Sequence, residues 1–367
     1  MKILIMMPNS NKGGAETVAF NIANTFLDKG HHVCVYSLSR GKGVFWTELQ
    51  RHRNFTYIYS QRKREKFGLL DLVLKLPQIW RLGHFDLLYT SHVNMNALAS
   101  ILMSTRLISA RYLVSRESTR IFDRFSGMKL AIYRLCYACY REQDLLICQT
   151  EEMRTSLLAN VSIPDPVEVV VLPNPISRSR IDSSLAAKQL GEGVRPFCIV
   201  FAGRLIPLKR VSMILNALSL LRDRTWNLTI LGQGPLKEAL ETEATTLGIA
   251  EQVTFAGQVD DPFPYYRDAD LGVLVSEVEG FPNVVLEMMA SGAKHLIVTP
   301  CTPAIRQLAG VEILEDQTAE GLAVAIARSI KSRSDSSQGY REFVNSRHSA
   351  EGFIESILSR LNPSLHL

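Results

Sequence analysis

The feature that most constrains the fold is a repeated unit in which a short apolar strand runs into glycines and then into a helical pattern. Its first copy is the apolar segment 2–7, followed by a glycine pair at 13 and 14 and apolar residues at helical spacing through Phe26. The unit returns at residues 197–202 and 228–231, where glycines again follow the strand. Alternation of strands and helices predicts an α/β protein with parallel sheets.

The length of 367 residues predicts two domains, each able to bury its own core. Prolines and a Ser/Arg-rich run cluster within residues 160–194 and predict a boundary there. We therefore expect an N-terminal domain at 1–175, an irregular linker at 176–195 and a C-terminal domain at 196–340. Apolar residues at helical spacing predict a C-terminal helix within 341–367.

Glu279 and Glu287 are separated by seven residues, in a spacing that fits a ligand site between a loop and a helix. Residues 272–278 are predicted as a buried strand, and a helix is predicted from Val284 with Asn283 as its N-cap. Carboxylates accept hydroxyl protons, and free N–H groups at a helix N-terminus bind phosphate. The pair therefore points to a polyol diphosphate such as a nucleotide sugar. The alternative is a surface loop charge and a solvated helix residue.

A second candidate phosphate site follows the strand 197–202, where Gly203 and Arg204 precede Lys209. The planar fork of an arginine and the mobile charge of a lysine suit a diphosphate leaving group. A solvated turn is the alternative reading. Gly232 and Gly234 after the next strand would let the backbone approach a ligand closely, although the third glycine of a dinucleotide fingerprint is missing.

Together these segments resemble family 4 of the retaining glycosyltransferases, which are nucleotide-sugar-dependent enzymes of the GT-B fold. The resemblance spans most of the chain, and its most specific motif is the glutamate pair. The motifs that carry it are Gly-Gly-Ala-Glu at 13–16, Leu172-Pro-Asn-Pro, Gly203-Arg-Leu with Lys209, Leu231-Gly-Gln-Gly, Phe255-Ala-Gly-Gln-Val, Ala269-Asp and Glu279-Gly-Phe-Pro with Glu287.

The resemblance implies two Rossmann-like domains facing a central cleft, with a C-terminal helix that crosses back to the N-terminal domain. It implies that Glu287 binds the ribose, that Arg204 and Lys209 bind the diphosphate, and that Glu279 binds the transferred sugar. Catalytic roles fall to Glu279, Arg204 and Lys209. The implied donor-binding residues are Gly14, Gly203, Arg204, Lys209, Gly232, Gln258, Val259, Glu279, Gly280, Phe281, Pro282, Asn283 and Glu287.

On the acceptor side the chain departs from the family pattern. Many members carry a sugar-facing histidine motif where this chain has residues 113–118, which include Arg116 and Glu117. Those two residues are acceptor-site candidates, together with His92 and Asn94 at a predicted strand exit. A further departure is Gln307, where the family usually has a glutamate.

Charge is unevenly distributed along the chain. Residues 1–180 carry 24 Lys and Arg against 14 Asp and Glu, whereas the remaining residues carry 17 against 22. A basic cluster beside the apolar run 67–76 suggests an anionic membrane surface as partner, and the segment 120–141 is a second candidate. An ordinary amphipathic helix packed on its own sheet is the alternative for both. The cluster comprises Arg62, Lys63, Arg64 and Lys66.

No apolar run approaches the roughly 18 residues that a membrane-spanning helix needs. We therefore expect a cytoplasmic protein that is peripheral on the inner face of the membrane. No nucleic-acid motif accompanies the basic face, so we expect no nucleic-acid partner.

Metals and redox cofactors are not expected. The six cysteines are scattered through apolar stretches, and Cys136 and Cys139 have no second ligand pair at zinc-site spacing. Asp268 and Asp270 look like the metal-binding pair of other glycosyltransferases, but their position before a core strand suggests a structural role. We expect a metal-independent enzyme whose only cosubstrate is the nucleotide sugar.

The resulting hypothesis is a retaining glycosyltransferase that moves a hexose or N-acetylhexosamine, most simply from a UDP-sugar, to a lipid-linked or cell-surface saccharide. Same-face attack guided by the leaving phosphate is the expected route to retention. Two alternatives stay open: a GT-B enzyme with a soluble small-molecule acceptor, and a non-catalytic GT-B partner subunit.

Overall fold

The structure is a computed structural model that describes residues 1–11, 13–40, 45–62, 65–186, 195–365 and 367, with residues 65 and 66 described only in their backbone. The chain forms two compact α/β units. Unit 1 comprises residues 1–177 and 348–367, and unit 2 comprises residues 178–347.

Unit 1 is built on a seven-stranded parallel sheet with the strand order β3-β2-β1-β4-β5-β6-β7. Its elements up to the end of the sheet are β1 (Lys2–Met7), α1 (Gly14–Asp28), β2 (His32–Ser37), β3 (Phe55–Tyr59), α2 (Glu65–Trp80), β4 (Phe85–Ser91), α3 (Val93–Ser104), β5 (Ala110–Arg116), α4 (Ile121–Arg124), α5 (Gly127–Ala138), β6 (Leu145–Cys148), α6 (Glu151–Asn160) and β7 (Glu168–Val171).

Strand β1 shows why the strands of this unit are apolar throughout. Ile3, Ile5 and Met7 pack into the core on the side of α1, whereas Leu4 and Met6 pack into the core beneath α2 and α3. Because helices cover both faces of a parallel sheet, side chains on both faces of the strand are buried. The predicted strand 2–7 is confirmed.

Unit 2 is built on a six-stranded parallel sheet with the order β10-β9-β8-β11-β12-β13. Its elements are α7 (Arg178–Ala186), β8 (Phe197–Ala202), α8 (Val211–Ser219), β9 (Trp226–Leu231), α9 (Lys237–Thr246), β10 (Val253–Gly257), α10 (Phe263–Arg267), β11 (Leu271–Leu274), α11 (Asn283–Ser291), β12 (Leu296–Val298), β13 (Glu312–Ile313), α12 (Ala319–Ser332) and α13 (Ser337–Arg347).

Strand β8 coincides with the predicted strand, but the predicted strand 272–278 is too long, because β11 ends at Leu274. Beyond that point the backbone bonds to other partners. The Val275 carbonyl accepts from Arg210 Nε at 2.7 Å, and the Ser276 carbonyl accepts from Thr299 Oγ1 at 2.6 Å. These carbonyls bond to side chains, and the strand pairing of β11 ends at Leu274.

The chain between the two sheets is partly helical. Residues 178–186 of the predicted irregular linker form α7, which packs against α10 and α11, and residues 187–194 lie outside the described part. The C-terminal region holds two helices where one was predicted. Helix α13 belongs to unit 2, and α14 (Ala350–Leu361) belongs to unit 1.

Helix α14 is anchored at both its start and its apolar face. Ser349 caps it by accepting from the Gly352 N–H at 3.0 Å, and the preceding His348 ring lies 3.1 Å from the Asn174 carbonyl. Phe353, Ile354, Ile357 and Leu358 pack into the same core as α1. The last helix is therefore an integral part of unit 1.

Among the described residues, no helix combines the length and the hydropathy that crossing a bilayer requires.

We predict that Leu358→Ala destabilises unit 1 by about 2 to 5 kcal/mol, because the side chain is fully buried and its removal leaves a cavity. Urea unfolding followed by circular dichroism measures the change. Ser359→Ala on the exposed side of the same helix is the matched control and should change stability by less than about 0.5 kcal/mol. Equal effects of the two substitutions would contradict the anchoring role of α14.

Candidate functional site

In unit 2 the carboxyl ends of β8 and β11 lie side by side at the point where the chain changes direction across the sheet. From β8 the sheet extends through β9 to β10 on one side, and from β11 it extends through β12 to β13 on the other. In open α/β sheets, ligands bind in the crevice at such a switch point. The predicted catalytic residues follow these two strands.

Lys209 and Glu279 meet across this switch point although 70 residues separate them in the sequence. Lys209 Nζ donates to Glu279 Oε1, and only 16% and 18% of the two side chains are exposed. The Glu279 N–H donates to the Cys301 carbonyl at 2.9 Å, which fixes the loop. Burial, with a further contribution from Glu279, raises the pKa of Cys301 to about 12, so this thiol stays protonated at neutral pH.

Arg210 is a site residue that the sequence reasoning missed. Its backbone has a φ of 47°, which is uncommon for a residue with a side chain. Its Nε donates to the Val275 carbonyl at 2.7 Å, and its Nη2 donates to Gln317 Oε1 at 2.8 Å. Arg210 thereby ties the turn that carries Lys209 to the exit of β11. Only its position next to Lys209 could have indicated this role.

The two glycines after β9 serve the packing of neighbouring loops. A Cβ at Gly232 would lie 1.9 Å from the Gly203 carbonyl oxygen, and one at Gly234 would lie 2.3 Å from the Leu205 carbonyl oxygen. The Gly203 N–H donates to the Leu231 carbonyl at 2.9 Å. This close packing positions Gly203 and the exposed Arg204, whereas the approach of Gly232 to a ligand stays a prediction.

Glu287 lies half-buried in α11, which begins at Asn283 and has Pro282 as its N-cap, so the predicted Asn283 cap is wrong. Burial and the nearby charge of Glu287 raise the pKa of Tyr266 in α10 well above its usual value. The raised pKa keeps the buried Tyr266 hydroxyl neutral, so this side chain adds no negative charge near Glu287.

The remaining predicted donor residues also lie at the carboxyl edge of this sheet. Gln258 and Val259 directly follow β10, and the Gly232 N–H donates to the Gly257 carbonyl at 2.7 Å. Gly280, Phe281 and Pro282 connect Glu279 to α11. Every predicted donor residue of unit 2 therefore follows one of four adjacent strands, β10, β9, β8 or β11.

Unit 1 has its own switch point, between β1 and β4, where His92 and Glu16 meet. His92 directly follows β4 with a φ of 78°, and such backbone strain concentrates at functional sites. Its Nδ1 lies 2.9 Å from Ser118 Oγ, and its Nε2 lies 3.4 Å from Glu16 Oε1. No role was assigned to Glu16 from the sequence, although it closes the quoted Gly-Gly-Ala-Glu motif.

The two glycines before Glu16 lie at different positions of the α1 N-terminus. Gly13 is the N-cap of α1, and a Cβ there would lie 2.5 Å from Glu16 Oε2, so the glycine makes room for the carboxylate. Gly14 is the exposed first residue of α1, and its predicted contact with a donor stays a prediction.

Arg116 and Glu117 are fully buried, so neither is exposed to an acceptor in this structure. Arg116 Nη2 donates to Asn174 Oδ1, and burial lowers the Arg116 pKa. Burial raises the Glu117 pKa, against the hydrogen bonds that it accepts from Tyr140 at 2.9 Å and Tyr137 at 3.0 Å. Both residues organise the carboxyl edge of the sheet, and direct acceptor binding stays a prediction for them.

Of the acceptor-site candidates, His92 and Asn94 have exposed surface. Asn94 projects from the first turn of α3, whereas the neighbouring Asn96 is buried and donates to Glu117 Oε1 at 3.2 Å. Gln307, the second departure from the family pattern, is exposed at the end of a short 3₁₀ helix.

The structural interpretation of Asp268 and Asp270 fits their contacts. Asp270 accepts from Lys294 Nζ at 2.8 Å and from the Cys198 N–H at 3.0 Å, which joins β8 to β11. Asp268 accepts from Arg267 Nε at 2.8 Å. Both carboxylates are thus engaged with protein groups.

The predicted basic membrane cluster is only partly described. Arg62 is exposed, Lys63 and Arg64 lie outside the described residues, and the side chain of Lys66 lies outside them as well.

Two family models match the chain, one in each unit. The model for Glycosyltransferase Family 4 matches residues 12–180, and the model for Glycosyl transferases group 1 matches residues 196–332. Residues 181–195, which lie between the two matches, fall within the predicted linker 176–195.

Similar proteins cover most of the chain. An uncharacterized glycosyltransferase of Haemophilus influenzae is 24% identical over 83% of this chain and 81% of its own length. A Campylobacter jejuni alpha-1,4-N-acetyl-D-galactosaminyltransferase, named for a diphospho-undecaprenol-linked saccharide, is 26% identical over 79% of this chain and 77% of its own length. A solved structure of Anabaena HepE with UDP and glucose has a TM-score of 0.75 at 19% identity, covering 99% of this chain and all of that one. The structural match establishes the GT-B fold.

We predict that Gly232→Ala destabilises unit 2. The φ of 143° costs about 1 to 3 kcal/mol for a residue with a side chain, and the collision of the new Cβ with the Gly203 carbonyl adds to that cost. Thermal or urea unfolding measures the change. Gly339→Ala in α13 is the control, because its Cβ would meet nothing within 4 Å, and it should stabilise by about 0.5 to 1 kcal/mol. A neutral Gly232→Ala would show that the loops after β8 and β9 are not tightly packed.

Proposed function

Because the chain belongs to the GT-B glycosyltransferases that join a family 4 domain to a group 1 domain, we propose that it is a retaining enzyme acting on a saccharide acceptor. The donor is a nucleotide sugar, most simply a UDP-hexose or UDP-N-acetylhexosamine. The acceptor is a lipid-linked or cell-surface saccharide.

The observation that carries the proposal is the ion pair between Lys209 and Glu279 at the switch point of unit 2. A diphosphate would bring negative charge to the site that holds Lys209, and Arg204 is an exposed residue in the same segment after β8. When the diphosphate replaces Glu279 as the hydrogen-bond acceptor of Lys209, the Glu279 carboxylate can accept hydrogen bonds from sugar hydroxyls instead. One bound donor would thus satisfy both partners of the pair.

Catalysis follows from the same charges. As the nucleoside diphosphate departs, Arg204, Lys209 and the N–H groups at the start of α11 stabilise the growing negative charge. Asp268 and Asp270 bond to protein groups. In place of the metal ion that other transferases use, this chain would use the cationic side chains of Arg204 and Lys209. We place the acceptor hydroxyl on the same face of the donor sugar as the departing phosphate. Attack from that face retains the configuration of the anomeric carbon without a covalent intermediate.

Two comparisons support the choice of substrates. The Anabaena protein of the same fold was solved with UDP and glucose, and the Campylobacter relative is named for an undecaprenol-linked acceptor. A lipid-linked acceptor would place the enzyme at the inner face of the cytoplasmic membrane. The excess of basic residues within 1–180 supports that location, because anionic lipid attracts such a surface.

We predict that Arg204→Ala and Glu287→Ala each weaken UDP binding by about 1.5 to 3 kcal/mol, because each removes a charged hydrogen-bond partner of the nucleotide. Isothermal titration calorimetry with UDP measures the loss. Arg224→Ala, an exposed arginine elsewhere in unit 2, is the control and should bind UDP like the wild type. Unchanged affinity in both test variants would place the donor site elsewhere.

We also predict that donor turnover continues in the presence of a chelator, because Lys209 and Arg204 supply the positive charge at the leaving group. UDP release from a panel of UDP-sugars, measured with and without EDTA, tests this. Activity that disappears with EDTA and returns with magnesium or manganese would overturn the metal-independent mechanism.

A further inference from the structure

Helices α2, α3 and α5 form one layer on the same face of the unit 1 sheet. They connect β3 to β4, β4 to β5 and β5 to β6, so their crossovers run in one direction, and right-handed crossovers place such helices on one side. The cores agree, because α2 and α3 share one apolar core and α1 and α14 share the core on the opposite face.

Helix α2 is apolar on both of its sides. Leu72, Leu76 and Ile79 face the sheet and are buried. The opposite side would be polar in an ordinary surface helix, yet it carries large apolar side chains that are 46% to 73% exposed. These residues are Phe67, Leu69, Leu70, Val73, Leu74 and Trp80.

Helix α5 continues the apolar surface. Met128, Ile132 and Leu135 recur at helical spacing and are 54% to 78% exposed. Lys129 and Arg134 lie on the two flanks of this stripe by the helical repeat, and the helix contains no acidic residue. Basic side chains on the flanks of an apolar stripe can extend toward lipid headgroups while the stripe is buried.

Ile101 and Leu107 add exposed apolar side chains on and directly after α3. They are linked to α2, because Trp80 Nε1 donates to the Leu107 carbonyl at 2.6 Å. In the described part of unit 1, no large exposed apolar side chain belongs to α1 or α14. The apolar surface is thus confined to one side of the unit. We call it the outer apolar face, comprising Phe67, Leu69, Leu70, Val73, Leu74, Trp80, Ile101, Leu107, Met128, Ile132 and Leu135.

We propose that the outer apolar face inserts into the interfacial region of a lipid bilayer that contains anionic lipid. The proposal rests on the proposed function in one respect, since a lipid-linked acceptor gives the enzyme a reason to bind a membrane. Charge favours lipid over a second copy of the chain. The residues of unit 1 comprise 23 Lys and Arg against 16 Asp and Glu, so pairing two copies of this unit would bring like charges together.

This mode differs from attraction of the basic cluster alone. Binding through exposed charges is screened by salt, whereas burial of apolar side chains is not. Insertion through the outer apolar face therefore predicts membrane binding that persists at high salt. Lys129 and Arg134 add affinity only where anionic lipid is present.

The protein contains its own reporter for the test. Of its three tryptophans, Trp46 and Trp226 are 1% exposed, whereas Trp80 on the outer apolar face is 54% exposed. Vesicles of phosphatidylcholine with or without phosphatidylglycerol should shift the tryptophan emission to the blue. Lipids brominated in the acyl chain should quench it. Flotation with the same vesicles at low and high salt measures the partition coefficient.

The double variant Leu70→Gln with Leu74→Gln should lower partitioning at least about tenfold, because two exposed apolar side chains no longer enter the bilayer. Val324→Gln is the matched control, since Val324 is a similarly exposed apolar residue in α12 of unit 2, and it should partition like the wild type. Lys129→Gln with Arg134→Gln should weaken binding to anionic vesicles only.

Two results would overturn the proposal. One is wild-type protein that neither floats with vesicles nor changes its Trp80 emission. The other is a wild-type dimer in light scattering that the Leu70→Gln, Leu74→Gln variant converts to a monomer, which would make the face an interface between two copies. UDP titration of the wild-type protein separates the two hypotheses. Wild-type protein that binds UDP but no vesicles would refute the docking surface and leave the transferase proposal standing.

Discussion

The ion pair between Lys209 and Glu279 is the contact on which the organisation of unit 2 depends. It joins the loops that follow β8 and β11, the two strands between which the sheet changes direction. Arg210 and the bond from the Glu277 N–H to the Leu208 carbonyl hold the same loops together. Because the pair is largely shielded from solvent, its interaction is screened less than that of a surface pair. The chain therefore keeps a cation and a carboxylate in place before any substrate arrives.

Unit 1 also holds oppositely charged residues at the carboxyl edge of its sheet, but these two are fully buried. Arg116 and Glu117 are buried side by side at the carboxyl end of β5, and hydrogen bonds offset the cost of burying a charge. Asn174 accepts from Arg116 Nη2, and Tyr137 and Tyr140 donate to Glu117, whereas the buried Arg116 Nε has no partner among the described residues. These residues come from distant parts of the chain, so the charged pair fixes the edge of the sheet on which His92 and Glu16 are presented.

Under the two proposals, unit 1 would divide its surfaces between two tasks. The carboxyl edge of its sheet holds the polar groups expected of an acceptor site, and the outer side of the α2, α3 and α5 layer holds apolar groups suited to lipid. A lipid-linked saccharide has both a polar and an apolar part. Under the two proposals, one unit would bind the membrane and the saccharide through separate side chains, so that either contact could be altered without the other.

The sequence alone determined the α/β class and the strands 2–7 and 197–202, because those features depend on local periodicity, which a sequence shows directly. The family resemblance predicted Arg204, Lys209, Glu279 and Glu287 as one donor site, and the structure brings Lys209 and Glu279 into contact. It misplaced the end of β11, because the carbonyls of Val275 and Ser276 bond to side chains that are distant in sequence.

Only the tertiary structure decided which residues are buried or paired. It showed that Arg116 and Glu117 are enclosed, that Gly232 packs against Gly203, and that Glu16 meets His92. It also separated the two apolar sides of α2, which look alike in sequence, into a buried side and an exposed one. Burial depends on what packs against a residue, and those partners come from distant parts of the chain that local patterns do not identify.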